Sequence, residues 1–362
     1  MDGENMSTAV TLWIPGLLDP LRVKEINSLG EGLDDISLSG LQTILAKSDQ
    51  FAAKKQAVVE QANYLFHQPK LSATAAIMAS VDIAEYDASA FWLRVDPVQM
   101  IADRDSLVLI PGSDLGITEA ESRALIETFN AHFEQDKVAL EYADMTRWYL
   151  RIKQPIDIQT HSIEKVAFQP VNDFYPQGHA AQYWRSLLNE AQMLFYTHPV
   201  NEARRALGQP EINSVWVWGE GVLTDNSVVK RPNAVIWSDS IYLSGLAKLS
   251  EAKHFSEPGN YQAWLDTQEA HSLQSASTDS EQSHHLIKLD SVTNSLEQLS
   301  PEAWLELLSR LDERWFKPLL KAVVDKKIDS LFLDIGNGHR YHLTPAHLKR
   351  FWRFKRSLAK GV

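Results

Sequence analysis

The spacing of apolar residues divides this chain into a mixed first segment, a middle of short strands and a mixed last segment. A compact apolar run at 8–14 predicts an N-terminal strand, and apolar positions at helical spacing over 41–66 and 73–81 predict helices after it. A further strand is expected at 90–95. In the middle, Leu107-Val-Leu-Ile110, Val138-Ala-Leu-Glu-Tyr142 and Trp148-Tyr-Leu-Arg-Ile152 surround a helix expected over 119–133. Short strands around one helix point to a small α+β unit inserted into the main fold. Leu187-Leu188, Ala191 and Leu194-Phe195 share one face of a helix expected over 184–195, with Asn189, Glu190 and Gln192 on its polar face. The stretch 270–300 is rich in Ser, Gln, Thr and His and poor in large apolar groups until Leu296, which predicts a loop or lid. Ser300 and Pro301 open the next helix as cap and first residue. Asn337-Gly338 between two apolar runs signals a hairpin over 331–343 with a type I′ turn.

One stretch concentrates recognition chemistry between strong punctuation: His198-Pro-Val-Asn201-Glu-Ala-Arg204-Arg205-Ala-Leu-Gly208, followed by Asn213-Ser-Val-Trp216-Val-Trp218-Gly219-Glu-Gly221. Asn201 is the expected cap of a short helix whose first turn presents Arg204 and Arg205, and a strand from Ser214 to Trp218 runs into a Gly-x-Gly turn. Two guanidiniums at a capped helix start suit a phosphate or carboxylate, and Gly219 and Gly221 admit a ligand close to the backbone. Structural ion pairs and ordinary turn chemistry give the same spacing.

These residues resemble the central signature of the archaeal-type cofactor-independent phosphoglycerate mutases, members of the alkaline-phosphatase superfamily. Asn233-Ala-Val-Ile-Trp-Ser-Asp239-Ser-Ile-Tyr-Leu-Ser-Gly245 is similar to the strand and glycine-bearing helix that follow in that family. Upstream, Phe91-Trp-Leu-Arg94-Val-Asp96-Pro, Asp103-Arg104-Asp105 and Thr118-Glu-Ala-Glu121 agree in kind and order. Trp-x-Arg-x-Asp-Pro-Val and the Leu-Leu-Asn-Glu-Ala-Gln run ending at Gln192 resemble a bacterial branch of RpfE-type regulatory proteins. The resemblance implies an α/β fold, with an alkaline-phosphatase-like core built on a central β-sheet flanked by helices. Residues 8–95 would form the first part of the core and 96–180 the inserted α+β unit. Residues 181–362 would complete the core, with the 270–300 loop, the hairpin and a basic C-terminal helix. It also implies a ligand site on Arg94, His198, Asn201, Arg204, Arg205, Trp218, Gly219 and Gly221.

Departures from the family carry as much information. Its enzymes end the first strand in a metal-binding Asp and follow it with a Ser or Thr nucleophile at a two-metal centre. Here Pro15 stands at that strand end, leaving Asp19, and the segment to Asp87 holds no Pro-Gly-Ser-Asp. Pro111-Gly-Ser113-Asp114 occurs later, just before the Thr118/Glu121 capping box, and reads as a turn into a helix. Asp312 resembles the family's helical metal ligand, and Asp334 ends a late strand, but Ile335-Gly336-Asn337-Gly338 replaces the expected His. His339, His342 and His347 are expected to be exposed on the hairpin, and His284-His285 to lie in solvated loop. Phosphoryl transfer needs charge neutralisation and an in-line nucleophile. The expectation is a catalytically degenerate, phosphoglycerate-mutase-like pseudoenzyme of regulatory role that binds phosphate or a phosphorylated small molecule, without a cofactor. The alternative is an active divergent mutase or phosphatase with manganese or zinc on Asp19, Asp312 and Asp334 and one or more histidines, for which His339, His342 and His347 are the relocated set.

Composition narrows the setting. The chain has 362 residues, 44% of them hydrophobic, with 11 Trp, enough to bury a sizeable core. No apolar run approaches the roughly 18 residues of a spanning helix, and the N-terminus has no secretory pattern, so a cytoplasmic protein without membrane partner is expected. The absence of Cys excludes disulfides, thiolate metal sites and cysteine nucleophiles. A net charge of −12 argues against nucleic acid. The exception is the tail, where Lys349, Arg350, Arg353, Lys355, Arg356 and Lys360 alternate with Phe351, Trp352 and Phe354. As a helix it would suit an acidic protein partner or pack its aromatics on the domain.

Overall fold

The computed structural model describes residues 8–28, 33, 36–53, 57–68, 72–103, 106–136, 138–223, 228–272, 283–355 and 358. β1 (Thr8–Trp13) and β2 (Asp49–Ala52) come first. β3 (Phe91–Asp103), β4 (Ser106–Pro111), β5 (Leu140–Asp144), β6 (Arg147–Ile152) and β7 (Ser214–Gly221) follow. β8 (Ala234–Trp237), β9 (Lys253–Phe255), β10 (Ser283–Lys288), β11 (Ser330–Asp334) and β12 (His339–Leu343) complete the set. The chain divides into one discontinuous unit, 1–66 with 230–362, and one continuous unit, 67–229. The expected boundaries after 95 and 180 thus give way to boundaries after 66 and 229. The reason is pairing: β3 bonds β6 and β7 side by side, so the expected break after 95 would cut a strand, and β7 from the expected third part belongs with it.

The discontinuous unit is built on a seven-stranded sheet in the order β2-β12-β11-β1-β10-β8-β9. β1 lies parallel between β10 and β11, and five of its six residues are buried, as a parallel strand covered on both faces requires. Leu12, Ile14 and Leu333 share a core with Trp304, Leu308, Trp315 and Phe316 of the flanking helices. The expected helix over 41–66 is interrupted. Helices Ser39–Lys47 and Val58–Leu65 flank β2, which pairs with β12 and gains ladder bonds that periodicity within the segment cannot register. The loop expected over 270–300 is corrected more sharply. Residues 273–282 lie outside the described set, but Ser283–Lys288 is β10, an inner strand bonded to β1 and β8, and the helix Asp290–Ser295 follows.

The hairpin is present, with β11 antiparallel to β12. Its turn is longer than type I′: positive φ falls on Gly336 (77°) and Gly338 (78°), and Asn337 is not left-handed. The Asn337 side chain instead donates to Tyr341 Oη at 2.7 Å and accepts from the His339 amide. The basic tail is not helical among the described residues. It makes a short 3₁₀ turn, His347–Lys349, after which Arg350 grips Asp49 in a fork at 2.6 and 3.1 Å. Phe351, Trp352 and Phe354 are exposed, and Arg356 and Lys360 lie outside the described set.

The continuous unit carries a second sheet, β4-β3-β6-β5, with β7 also bonded to β3. Helix Glu119–His132 starts in the expected capping box of Thr118 and Glu121, preceded by the expected turn at Gly112–Asp114. Helix Ala181–Tyr196 buries Trp184, Leu187, Leu188, Ala191 and Phe195 against Val215 and Val217 of β7. No described helix of either unit is long and apolar enough to cross a membrane.

Candidate functional site

Each set of candidate residues lies within one unit. In the continuous unit, the signature stretch folds as helix Pro199–Ala206 followed by β7. His198, not Asn201, caps this helix: its Nδ1 accepts from the Val200 amide at 3.1 Å, and its Nε2 lies 2.9 Å from Thr128 Oγ1. Proline at the first helical position fixes that start one turn earlier than expected. Arg204 and Arg205 accordingly fall in the last turn, where cations answer the negative end of the helix dipole.

Their partners are already in place. Asn201, wholly buried, donates to the carbonyls of Phe195 and Ile212 and accepts from the Ile212 amide, all at 2.8 Å. Arg204, 1% exposed, donates to the Pro210 and Leu115 carbonyls and to Glu121 Oε1 at 2.9 Å. Partial burial pushes the Glu121 carboxyl up, but the Thr118 amide and the Arg204 guanidinium outweigh it and hold the group below its ordinary range. Arg205 pairs with Glu211 at 2.8 Å and lies over the Tyr196 ring. Both guanidiniums tie this helix to carbonyls and carboxylates, the structural ion pairing that the same spacing allows.

Trp218 and Arg94 meet at Asp96. The Trp218 indole donates to Asp96 Oδ2 and Arg94 Nε to Oδ1, both at 2.7 Å, and the guanidinium lies 5.0 Å from the Trp218 ring centroid. Burial pushes the Asp96 carboxyl up, against the pull of Arg94 and Trp218. Gly219 (φ 75°) and Gly221 (φ 154°) do serve close approach, though to the chain itself. A Cβ on Gly221 would lie 2.6 Å from Ala73 Cβ, and one on Gly219 3.2 Å from the Ala75 amide nitrogen, at the start of helix Thr74–Asp82.

In the discontinuous unit β1, β8, β10 and β11 are parallel, so their carboxyl ends share one edge, the usual place for ligand chemistry in α/β sheets. Lys288 and Asp290, both buried, form an ion pair there, with the ammonium 5.5 Å from the Trp13 ring centroid. Asp290 also accepts from Ser238 Oγ at 2.5 Å and from the Asp239 amide at 2.9 Å. Asp334 accepts from Gln61 at 2.7 Å and faces Arg340 at 3.7 Å; burial pushes its carboxyl up despite both. Asp312, fully buried, accepts from the amides of Gly40 and Leu41 at 3.2 and 2.7 Å, capping helix Ser39–Lys47. Asp19 accepts from the Leu21 amide at 2.9 Å at the start of helix Pro20–Ser28.

The histidines also differ from expectation. His339, His342 and His347 are half-buried rather than exposed. His342 stacks on Phe332, bonds Ser330 at 2.7 Å and has its carbonyl 3.1 Å from His347 Nδ1. His284 bonds Thr11, and His285 is buried in β10, where its Nδ1 accepts from Trp237 Nε1 at 3.1 Å. Lys288 and Asp290 escape the sequence reading because Leu286-Ile-Lys-Leu-Asp290 sits inside the stretch that composition marked as loop. Its short apolar run was the available signal.

No protein-family model matches the chain. A phosphoglycerate mutase of the 2,3-bisphosphoglycerate-independent kind from Methanosarcina barkeri is 23% identical over 163 residues, 40% of this chain and 41% of that protein. One from Methanosarcina acetivorans is 21% identical over 214 residues, 53% of this chain and 54% of that protein. The chain thus spans about half or less of the curated relatives it matches. The cofactor-independent phosphoglycerate mutase structure from Thermoplasma acidophilum aligns over 98% of this chain and 95% of its own, at 14% identity and a TM-score of 0.51. A Pyrococcus horikoshii protein aligns over 98% and 92%, at 14% identity and a TM-score of 0.56.

The chain is a distant homologue of cofactor-independent phosphoglycerate mutases.

Its α/β fold is the alkaline-phosphatase-like fold of those mutases. The two-metal centre implied by the mutase resemblance does not fit the residues present. The side chain of Pro15, which follows β1, offers no donor atom, and Asp19, Asp312 and Asp334 are each engaged in a separate contact. Among the described residues no three His, Cys, Asp or Glu side chains are grouped to hold an ion. Metal donors must converge at roughly 2.0–2.6 Å from one point.

Proposed function

We propose that this chain is a catalytically degenerate phosphoglycerate-mutase-like protein of the RpfE-type regulatory branch, which binds phosphate or a phosphorylated small molecule. The observation that carries this reading is that the acidic groups of the strand edge and of the expected ligand set are consumed by the chain's own donors. Lys288 neutralises Asp290, Gln61 and Arg340 face Asp334, and two backbone amides hold Asp312. A buried ammonium beside Asp290 repels a divalent cation. The Trp-x-Arg-x-Asp run supports the regulatory branch only as a likeness, since Arg94 and Asp96 serve packing with Trp218.

Elemental analysis of protein purified without chelator, followed by a phosphoglycerate mutase assay with manganese restored, tests this. The expected outcome is substoichiometric metal and no turnover. Near-stoichiometric divalent metal with turnover would overturn the reading in favour of an active enzyme.

A further inference from the structure

A groove of about 630 Å³ lies in the discontinuous unit between helix Tyr261–Ser272 and the segment that runs from Asp312 through helix Lys317–Val324 to Lys327. That volume is within the range of small-molecule sites. Its charge departs from that of the chain. The lining holds four cations, Arg314, Lys317, Lys321 and Lys327, against two carboxylates, Glu313 and Asp325, whereas the whole chain has 35 Lys and Arg against 47 Asp and Glu.

The cations divide into two pairs. Lys317 and Lys321 each bond a carboxylate four residues away, Glu313 and Asp325, which fixes where their ammonium groups stand. Lys317 also lies 3.7 Å from the buried Asp312, whereas Arg314 and Lys327 have no ion pair among the described residues, so the four cations keep a surplus of one positive charge over Glu313, Asp325 and Asp312. The backbone supplies a second, independent feature. Residues Asp312–Phe316 form a π-helical turn, an element frequently found at functional positions. The extra residue lets Asp312, Trp315 and Phe316 all turn into the core while Glu313 and Arg314 stay on the groove side. Tyr261 adds a phenol hydroxyl to the same wall, kept protonated by its burial and by Asp325.

We propose that this groove binds a small phosphate-bearing anion, seated on Arg314 and Lys327 and flanked by Lys317 and Lys321. A guanidinium fork with ammonium point charges matches the multiple oxygens of a phosphate better than it matches a single carboxylate. The ligand class rests on the reading given above; the location does not, because the residues that line the groove include neither Lys288, Asp290 and Asp334 of the strand ends nor any residue of the signature stretch.

The test is calorimetric titration of the intact chain with inorganic phosphate, pyrophosphate, 3-phosphoglycerate and ATP, repeated on an R314A/K327A double variant. Both side chains are exposed, and ligand-free thermal unfolding of the variant checks that the fold is kept. Saturable one-to-one binding that weakens at least tenfold in the double variant is expected. A preference for 3-phosphoglycerate would mark a phosphorylated acid, a preference for ATP a nucleotide, and equal affinity for phosphate or pyrophosphate the free anion, all of which support the site. Equal affinity of parent and variant would overturn the groove while leaving the degenerate-enzyme reading to be decided by metal content and turnover. No saturable binding of any of the four would overturn both the groove and the phosphorylated ligand.

Discussion

Arg204 sits where an anion-binding residue was expected and makes three bonds within its own unit, to Pro210, Leu115 and Glu121. Removing one partner of a buried, hydrogen-bonded ion pair leaves the other uncompensated, at a cost of about 3–5 kcal/mol. Glu121 keeps some exposure, and water will recover part of that, so Arg204→Ala is expected to lower unfolding stability by about 2–3 kcal/mol. The same variant should leave calorimetric anion affinity unchanged. Urea denaturation and titration with 3-phosphoglycerate read the two effects separately. A stable protein with weakened binding would restore Arg204 to a ligand site. The residue types of the signature were legible in the sequence, but their direction was not: Arg-Arg gives the same spacing whether it faces a ligand or a carbonyl.

β10 shows how an element decides the chemistry of its residues. His285 belongs to a stretch of polar composition, yet as an inner strand β10 places it against Trp237 and Trp264. Burial, aided by His284 and Lys253, pushes its imidazole down to about 4. In the unfolded chain the same group titrates near its ordinary 6.5. The unfolded state therefore takes up the proton first as pH falls. The stability due to neutral His285 is whole above about pH 6.5 and is lost between there and about pH 4, amounting to about 3 kcal/mol at roughly 1.4 kcal/mol per unit. Urea denaturation at pH 7 and pH 4.5 should show this loss, and His285→Phe should flatten it. A variant that keeps the full pH dependence would assign the effect to other groups.

At the scale of the molecule, the two units differ in how they depend on the order of the chain. Unit 67–229 is continuous and owns both its sheet and its core, in which Phe91, Leu125, Trp148, Trp184 and Val217 participate. An excised 67–229 fragment is expected to fold alone, with native-like circular dichroism and a single cooperative urea transition. The 1–66 segment is expected to stay unfolded by itself, because both neighbours of β1, β10 and β11, come from the far side of the insertion. A fragment 67–229 lacking cooperative unfolding would show that this division does not mark an independent folding unit.

The sequence by itself determined the local features: β1, helix Glu119–His132 with its capping box, the helix opened by Ser300 and Pro301, and the β11–β12 hairpin. Each rests on periodicity or cap chemistry within a few residues, so its physical cause lies in the segment that shows it. Tertiary structure alone decided where the insertion begins and ends, that β2 and β10 are strands, and what Arg204, Lys288 and Asp334 face. Those depend on pairing between segments far apart in the chain, and the energy of a ladder or a buried ion pair belongs to both partners at once.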